Sequence, residues 1–336
     1  MRKMNVCCVL VTYGERFHFL EDVVHTLLKQ EVNRILIVDN GSAANSRDGL
    51  ERLRGLFPDK IRTVRLPENT GSAMGYKTGL EEAYRCADCE FIWLLDDDNK
   101  PRNNALEVLV ENWKGLCGGS KDKDIALLSL RKDRSPFADI AMGAPVRKCF
   151  RRRRSFLGFH FLDLPSIALR RALHRGMTGS GKRAGKAVIP FAPYGGLFFH
   201  KSLLDRIGYP NEDFFLYHDD SEFTYRITAL GGSIYLIADS IVEDIDNPWD
   251  KTLFSYKISY LHEGDDSRVY YAVRNKVYFE LYCLKYDSPV WHMNRLIYLN
   301  IMRLIALLSG VERRFSLIEK AVRDGIDGRL GRYECR

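Results

Sequence analysis

The sequence predicts an α/β fold, a mixed and mostly parallel central sheet flanked by helices, with a helical extension at the C-terminal end. Three observations predict it. Over the first 130 residues, short β-branched runs alternate with amphipathic stretches at helical spacing, the pattern of a parallel sheet covered by helices. Acidic residues gather where two of the apolar runs end, as expected of an open sheet that binds ligands at one edge. A chain of 336 residues, 46% hydrophobic and 28% charged, is long enough for a large core and is composed like neither a disordered nor a membrane-spanning protein.

Strands are expected at Asn5–Thr12, Arg34–Val38, Ile61–Leu66, Glu90–Leu95 and Asp124–Leu130, with helices near 17–29, 46–56, 72–86 and 102–116. Pro101 fits the first turn of the fourth helix, where a missing N–H costs nothing. From about 131 to 188 the pattern dissolves into Arg, Lys, Gly and Ser, an insertion and not another βα unit. Regular structure resumes with Val188–Phe199, helices near 201–207 and 219–230, and strands near 233–237 and 240–243. Helices near 268–283, 289–309 and 311–325 close the chain. The expected organisation is one domain over 1–245, with halves at 1–130 and 189–245 around the basic insertion 131–188, and a helical extension over 246–336.

The formal charge of +7 has a local origin, because residues 147–186 hold twelve Lys or Arg against one acid, Asp163. Such a block suits an anionic partner, a membrane surface or a lipid diphosphate, as well as a solvated loop. Phe150, Phe156, Phe159 and Phe161 are not interleaved with the arginines, so nucleic acid is not an expected partner. The run Leu296–Leu308, interrupted by Asn300 and Arg303, is too short to span a bilayer. It reads as a core helix or one lying in the membrane interface, and the nearby Arg295, Arg313 and Arg314 favour the interface. The eight cysteines show no disulfide rhythm, Cys86 and Cys89 lack a second pair to complete a zinc site, and Val6–Val11 is too short for a secretory signal. A cytoplasmic protein, peripheral on the inner face of the cell membrane, is the expectation.

Chemistry concentrates at strand ends. Asp96-Asp97-Asp98 follows the apolar run Phe91–Leu95. Three adjacent carboxylates repel unless a cation or hydrogen bonds compensate, and hard divalent cations take oxygen ligands from carboxylates and substrate phosphates. A metal–diphosphate site is the natural inference; an acidic cluster favouring the dipole of the following helix is the plainer one. Asp39-Asn40-Gly41-Ser42 ends a second apolar strand on the same edge, where its polar groups could read a base or simply form a turn. Between them, Asn69-Thr70-Gly71 opens a helix with glycines at 71, 75 and 79, which permits close packing and brings Lys77 within reach of a diphosphate. Gly176–Arg183 satisfies GxxxxGK but has Arg where a P-loop needs Ser or Thr, and no strand precedes it.

Taken in order, VTYGER, IVDNGS, ENTG-x3-G-x3-G and LLDDDNKP resemble the nucleotide-binding half of family 2 glycosyltransferases, whose Rossmann-like fold is called GT-A. Gly195–Phe199 and Phe214–Glu222, with Arg226, are similar to the family's acceptor half, and the likeness runs over roughly residues 5 to 245. It implies an inverting transferase that moves a sugar from a nucleotide-diphosphate donor to a glycan or lipid-diphosphate acceptor, assisted by Mn2+ or Mg2+. On this resemblance Thr12, Tyr13 and Asn40 surround the nucleobase, while Asp39, Asn69, Gly71, Lys77 and Gly196 complete the donor site. Asp96 and Asp97 meet the ribose and diphosphate, Asp96 and Asp98 take the metal, and Asp220 is the base with Asp219 raising its pKa. Helix capping is the plainer role for the Asp219-Asp220 pair.

Some positions depart from the family pattern. Many members carry Asp at the place of Asn40, and an Arg-Asn or Asn-Asn pair at Tyr76-Lys77. A metal-binding His is expected after the strand Ser240–Val242; Glu243 and Asp244 stand there, and Asp244 is taken as the third ligand. Similarity to galactofuranosyl- and rhamnosyltransferases, including the Tyr270-Tyr271-x-x-Arg274-Asn275 element, favours galactofuranose or rhamnose and a UDP-sugar over a dTDP-sugar. The competing expectations are a nucleotidyltransferase, for which the N-terminal segment lacks a glycine- and basic-rich signature, and a non-catalytic membrane or nucleic-acid module built on 147–186.

Overall fold

The computed structural model describes residues 4–116, 124–150, 152–164, 184–246 and 259–333. The Gly176–Arg183 stretch, and residues 151 and 165–183 of the basic block, lie outside the described residues. The chain divides into two units, one of residues 1–142, 182–215 and 219–247, the other of 143–181, 216–218 and 248–336. Residues 143–181, most of the basic insertion, are thus grouped with 248–336.

In the first unit, strands β1 (Val6–Gly14), β2 (Arg34–Ser42), β3 (Ile61–Leu66) and β4 (Phe91–Asp96) alternate with helices α1 (Phe17–Leu27), α2 (Ala44–Leu56) and α3 (Gly71–Arg85). After β4 come the short β5 (Asn99–Pro101), α4 (Ala105–Leu116) and β6 (Ile125–Arg131). β7 (Lys186–Ile189), β8 (Leu197–His200), α5 (Asp219–Ala229) and β9 (Ser233–Asp244) complete the unit. The described strands form a nine-stranded mixed sheet in the order β3-β2-β1-β4-β8-β6-β9-β5, with β7 on β9. β1, β2, β3 and β4 are mutually parallel, as is β6 with β9, while β8 runs antiparallel between β4 and β6.

Period-two alternation explains the two faces of the sheet. Cys8 and Leu10 of β1, Ile35 and Ile37 of β2 and Trp93 and Leu95 of β4 share a core with Leu20, Val23 and Leu27 of α1 and Leu106, Leu109 and Trp113 of α4. The other face takes α3, and there the glycines matter. A Cβ on Gly75 would stand 2.7 Å from Val11 Cγ1, and one on Gly79 2.5 Å from Val9 Cγ1, so only hydrogen lets the helix lie this close.

Three expectations change. Pro101 lies in β5, paired antiparallel with Val242, and α4 starts at Ala105, so the acidic triplet is not the N-terminal cluster of that helix. Val188–Phe199 is two strands, not one run. The strands expected at 233–237 and 240–243 are one strand, β9, whose pairing with β6 jumps from Ser129↔Ile237 to Leu130↔Ile241. That bulge turns Ser240 inward, where its hydroxyl donates to Ala105 O at 2.9 Å and bonds Ser129 Oγ at 2.8 Å.

The second unit packs α6 (Asp266–Tyr278), α7 (Pro289–Ser309) and α8 (Glu312–Ile326). Asp265 caps α6 and Ser288 caps α7, with Pro289 in its first turn; Gly310 ends α7 in the left-handed conformation. The Tyr270–Asn275 element is buried on α6: Tyr270 donates to Asp324 of α8 at 2.6 Å, and Asn275 Nδ2 donates to the carbonyls of Leu216 and Tyr217 at 2.7 and 3.0 Å. No described helix is long and apolar enough to cross a membrane.

Candidate functional site

The C-terminal ends of β1, β2, β4 and β6 and the start of α5 carry the polar residues of the first unit. β4 delivers the acidic triplet to three different environments. Asp96 is the most open, its side chain 38% exposed; it accepts from Tyr76 Oη at 2.6 Å and lies 3.4 Å from Arg131. Asp97 is buried and accepts from Thr12 Oγ1 at 2.8 Å and from Arg16 Nε at 2.9 and 3.0 Å. Asp98 is half-buried, 3.2 Å from Arg16 and 3.1 Å from the amide of Asn99. Burial raises both Asp97 and Asp98; Arg16 and Thr12 hold Asp97 back, whereas Asp98 is pushed up to about 7 by burial and by the charges of Asp96, Asp97 and Asp244.

Excess negative potential at Asp98 beside the exposed Asp96 fits a divalent cation completed by phosphate oxygens. Among the described residues no three His, Cys, Asp or Glu side chains converge into a protein-only metal cage. Asp244, expected as the third metal ligand, is engaged by two guanidinium groups. Its side chain is fully buried, Oδ2 bonded to Arg131 at 2.6 Å and Arg134 at 2.8 Å, and Oδ1 accepting from Asn99 at 2.9 Å. The two guanidinium groups outweigh burial and hold its carboxyl below the usual range. Asp244 thereby ties Asn99 and Arg131 together behind the triplet.

Asp39 is buried at the end of β2, accepts from Ser42 N–H at 2.8 Å and lines a cleft of about 250 Å³ with Arg47, Thr63 and Arg65. Asn40 is not turned toward that cleft's lining. Its oxygen accepts from Thr70 N–H and Oγ1 at 2.9 Å, and its amide donates to Gly71 O at 2.9 Å, so it clamps the entry to α3. Asn69 Oδ1 accepts from Gly71 N–H at 3.0 Å, and Gly71 itself has φ +84 with Phe215 O only 2.0 Å from where a Cβ would sit. Lys77, expected at the diphosphate, is ion-paired with Glu212. Tyr13 is 37% exposed, with the Arg16 guanidinium 5.4 Å from its ring centre.

The glycine against the carboxylates is Gly195. A Cβ there would lie 2.0 Å from Asn99 Oδ1 and 2.8 Å from both Asp96 Oδ2 and Arg131 Nη1. Its neighbour Gly196, the residue expected to meet the donor, sits in the turn before β8 with φ +98 and donates its N–H to Leu94 O at 2.8 Å.

Asp219 and Asp220 open α5 after Phe215, Tyr217 and His218, three non-glycine residues at positive φ. Strain of that kind clusters at functional turns. Asp219 is buried and accepts from Ser72 Oγ at 2.8 Å. Burial and the charge of Asp220 push its carboxyl up to about 8. Asp220 is half-buried and is pushed up to about 6, first by burial; the N–H and hydroxyl of Ser221, at 2.5 and 3.1 Å, hold it down, Asp96 raises it and Arg131 lowers it. Asp220 stays ionised near neutrality, and the strand-end charges reach it.

Sequence reasoning missed Arg16, Tyr76, Asn99, Arg131 and Arg134. Arg131 ends β6, and the strand-end rule applied to the triplet would have found it. Arg16 and Arg134 lie in connections whose paths only the fold reveals.

The glycosyl transferase family 2 description matches residues 7–175. No curated protein sequence matches the chain. GalNAc-T7, solved with UDP, GalNAc and Mn2+, superposes with a TM-score of 0.55 at 13% identity, covering 97% of this chain and 58% of its own. The mannosyltransferase PcManGT from Pyrobaculum calidifontis, in complex with GDP-Man and Mn2+, superposes with a TM-score of 0.51 at 15% identity, covering 98% of this chain and 89% of its own. At these identities the likeness establishes the fold, and this chain spans little more than half the length of the first.

Proposed function

Because the chain belongs to glycosyl transferase family 2, we propose that it moves a sugar from a nucleotide-diphosphate donor to an acceptor hydroxyl in one inverting displacement. Asp220 is the base. The observation that carries this is its place: a half-buried carboxylate at the start of α5, within the electrostatic reach of Asp96 and Arg131 at the strand ends and raised by burial. Asp219, held by Ser72, fixes the turn that presents it.

Asp96 and Asp98 are the two carboxylates available to a cation, and the donor set favours Mn2+ or Mg2+. Such an ion would neutralise the leaving diphosphate. Asp97, clamped by Arg16 and Thr12, positions the triplet, and Arg131 offers a fixed positive charge beside Asp96. Asp39 and its cleft are placed to receive the nucleoside, with Tyr13 as an exposed ring for stacking. UDP is favoured over dTDP as the carrier and galactofuranose or rhamnose as the sugar, on the triplet, the Asp219-Asp220 pair and the Tyr270–Asn275 element. We place the enzyme in the cytoplasm, peripheral on the inner face of the membrane, acting on a glycan or lipid-linked acceptor.

The test is nucleotide release from UDP- and dTDP-sugars with and without Mn2+ or Mg2+, with Asp98→Asn as the control. Release that requires the cation in the native protein and is lost in the variant is the expected result. Release from every sugar nucleotide that is indifferent to the cation would remove the metal from the proposal.

A further inference from the structure

In the second unit, residues 152–164 form a loop pinned to α7 from two sides. Asn294, fully buried on α7, donates to Arg154 O at 2.8 Å and accepts from Phe161 N–H at 2.9 Å. Buried Glu280 accepts from Leu157 N–H and from Trp291 Nε1, both at 3.1 Å. Phe156 then packs edge-on to Trp291 and Tyr298 with ring centres 5.2 and 5.5 Å away. A loop held by buried polar staples and aromatic packing is a built surface.

That surface and the start of α7 enclose a cleft of about 510 Å³ lined by Arg152, Arg153, Arg154, Lys285, Leu162 and Val290, among others. Arg152 pairs with Asp163 at 3.3 Å, while Arg153, Arg154 and Lys285 have no acidic partner among the described residues. Val290 stands in the first turn of a 21-residue helix, whose positive dipole end adds to the field. Three unpaired cations converging on one cleft call for an anion. From the same helix an apolar face continues outward: Met293, Leu296, Leu304, Leu307 and Leu308 are 49%, 64%, 58%, 57% and 79% exposed. Spaced by three, eight, three and one residues, they fall within an arc of about 120° at helical pitch, with the exposed Asn300 between Leu296 and Leu304, and Leu162 within the cleft is 54% exposed. A soluble phosphate would explain the cations and leave the apolar face without a purpose. An amphipathic helix with basic residues at its start and an exposed apolar side matches a phospholipid surface in both respects.

We propose that the second unit docks on an anionic phospholipid surface, a lipid phosphate seated among Arg152, Arg153, Arg154 and Lys285 while the exposed side of α7 enters the acyl boundary. The proposal deepens the peripheral location given above and is independent of the transfer chemistry, so each can fail alone.

The test is flotation of the full chain with vesicles of phosphatidylcholine alone and of phosphatidylcholine and phosphatidylglycerol in equal parts. Binding to the mixed vesicles only, weakened by salt, is expected. Arg153→Glu with Lys285→Glu should lower it about tenfold or more. Leu296→Ser with Leu304→Ser should lower it with the charges intact. Cation-dependent nucleotide release and thermal unfolding report whether each variant is folded and active. Equal binding to both vesicle types, no binding to either, or binding unchanged in a folded charge variant overturns the proposal. So does stabilisation by inorganic phosphate without vesicle binding, which would make the cleft a site for a soluble anion.

Discussion

Asp220→Asn tests the base assignment by two readouts that move in opposite directions. In the folded chain the Asp220 carboxyl is raised from 3.8 to about 6, burial being the main cause. A folded-state value above the unfolded one favours folding at acid pH; that contribution is complete below about pH 4 and is lost as pH rises through about 6. At neutral pH the ionised Asp220 therefore works against folding. One pKa unit is about 1.4 kcal/mol, so the gap bounds this cost at about 3 kcal/mol. Asparagine has the same shape, carries no charge, and can still accept the Ser221 N–H that Asp220 accepts at 2.5 Å. Transfer should fall by about 100-fold or more, the scale of general-base catalysis. The unfolding temperature should rise by several degrees at pH 8 and hardly change at pH 4. In the native protein, the rate should fall about tenfold from pH 7 to pH 5 as Asp220 takes up its proton. Transfer kinetics across that range and thermal unfolding at the two pH values are the measurements. Retained turnover in the variant refutes the base, and an equal thermal gain at both pH values refutes the buried-charge account.

Asp98 is pushed up to about 7, and a ligand must be deprotonated to bind metal, so Mn2+ affinity should rise about tenfold per unit up to that pH, as calorimetry would show. In Asp98→Asn that pH dependence should vanish. Gly195→Ala places a methyl 2.0 Å from Asn99 Oδ1, so nucleotide affinity measured by titration should drop, whereas Gly185→Ala, with nothing within 4 Å, should alter neither binding nor unfolding. Arg16→Met leaves Asp97 buried without its bidentate partner. A loss of about 3–5 kcal/mol in denaturant unfolding at neutral pH is expected, smaller in acid where Asp97 is protonated.

Much of the first unit was legible in the sequence because its signals are local. The apolar runs of β1 to β4 and the helices between them show their periods directly, and Gly75 and Gly79 announce a helix that must lie close to a sheet. The acidic triplet and the Asp219-Asp220 pair were also found, since carboxylates at strand and helix ends are conspicuous whatever surrounds them. Burial and partner choice were not. Asp244 reads in the sequence like Asp98, another acid at a strand end, yet Arg131 and Arg134 hold the carboxyl of one down while burial among carboxylates raises that of the other. β5 was invisible because three residues carry no period, and its only support is a long-range pairing with β9.

The sequence by itself determined the α/β class and the family, because those rest on local patterns and their order. Tertiary structure alone decided which of the candidate site residues are free to act. It put Asn40 on the α3 entry, set Gly195 against the carboxylates, and buried Asp98, Asp219 and Asp220 so that their carboxyls rise. The physical reason is that a carboxylate's chemistry is fixed by desolvation and by charges a few ångströms away, and those neighbours come from segments far apart in the chain.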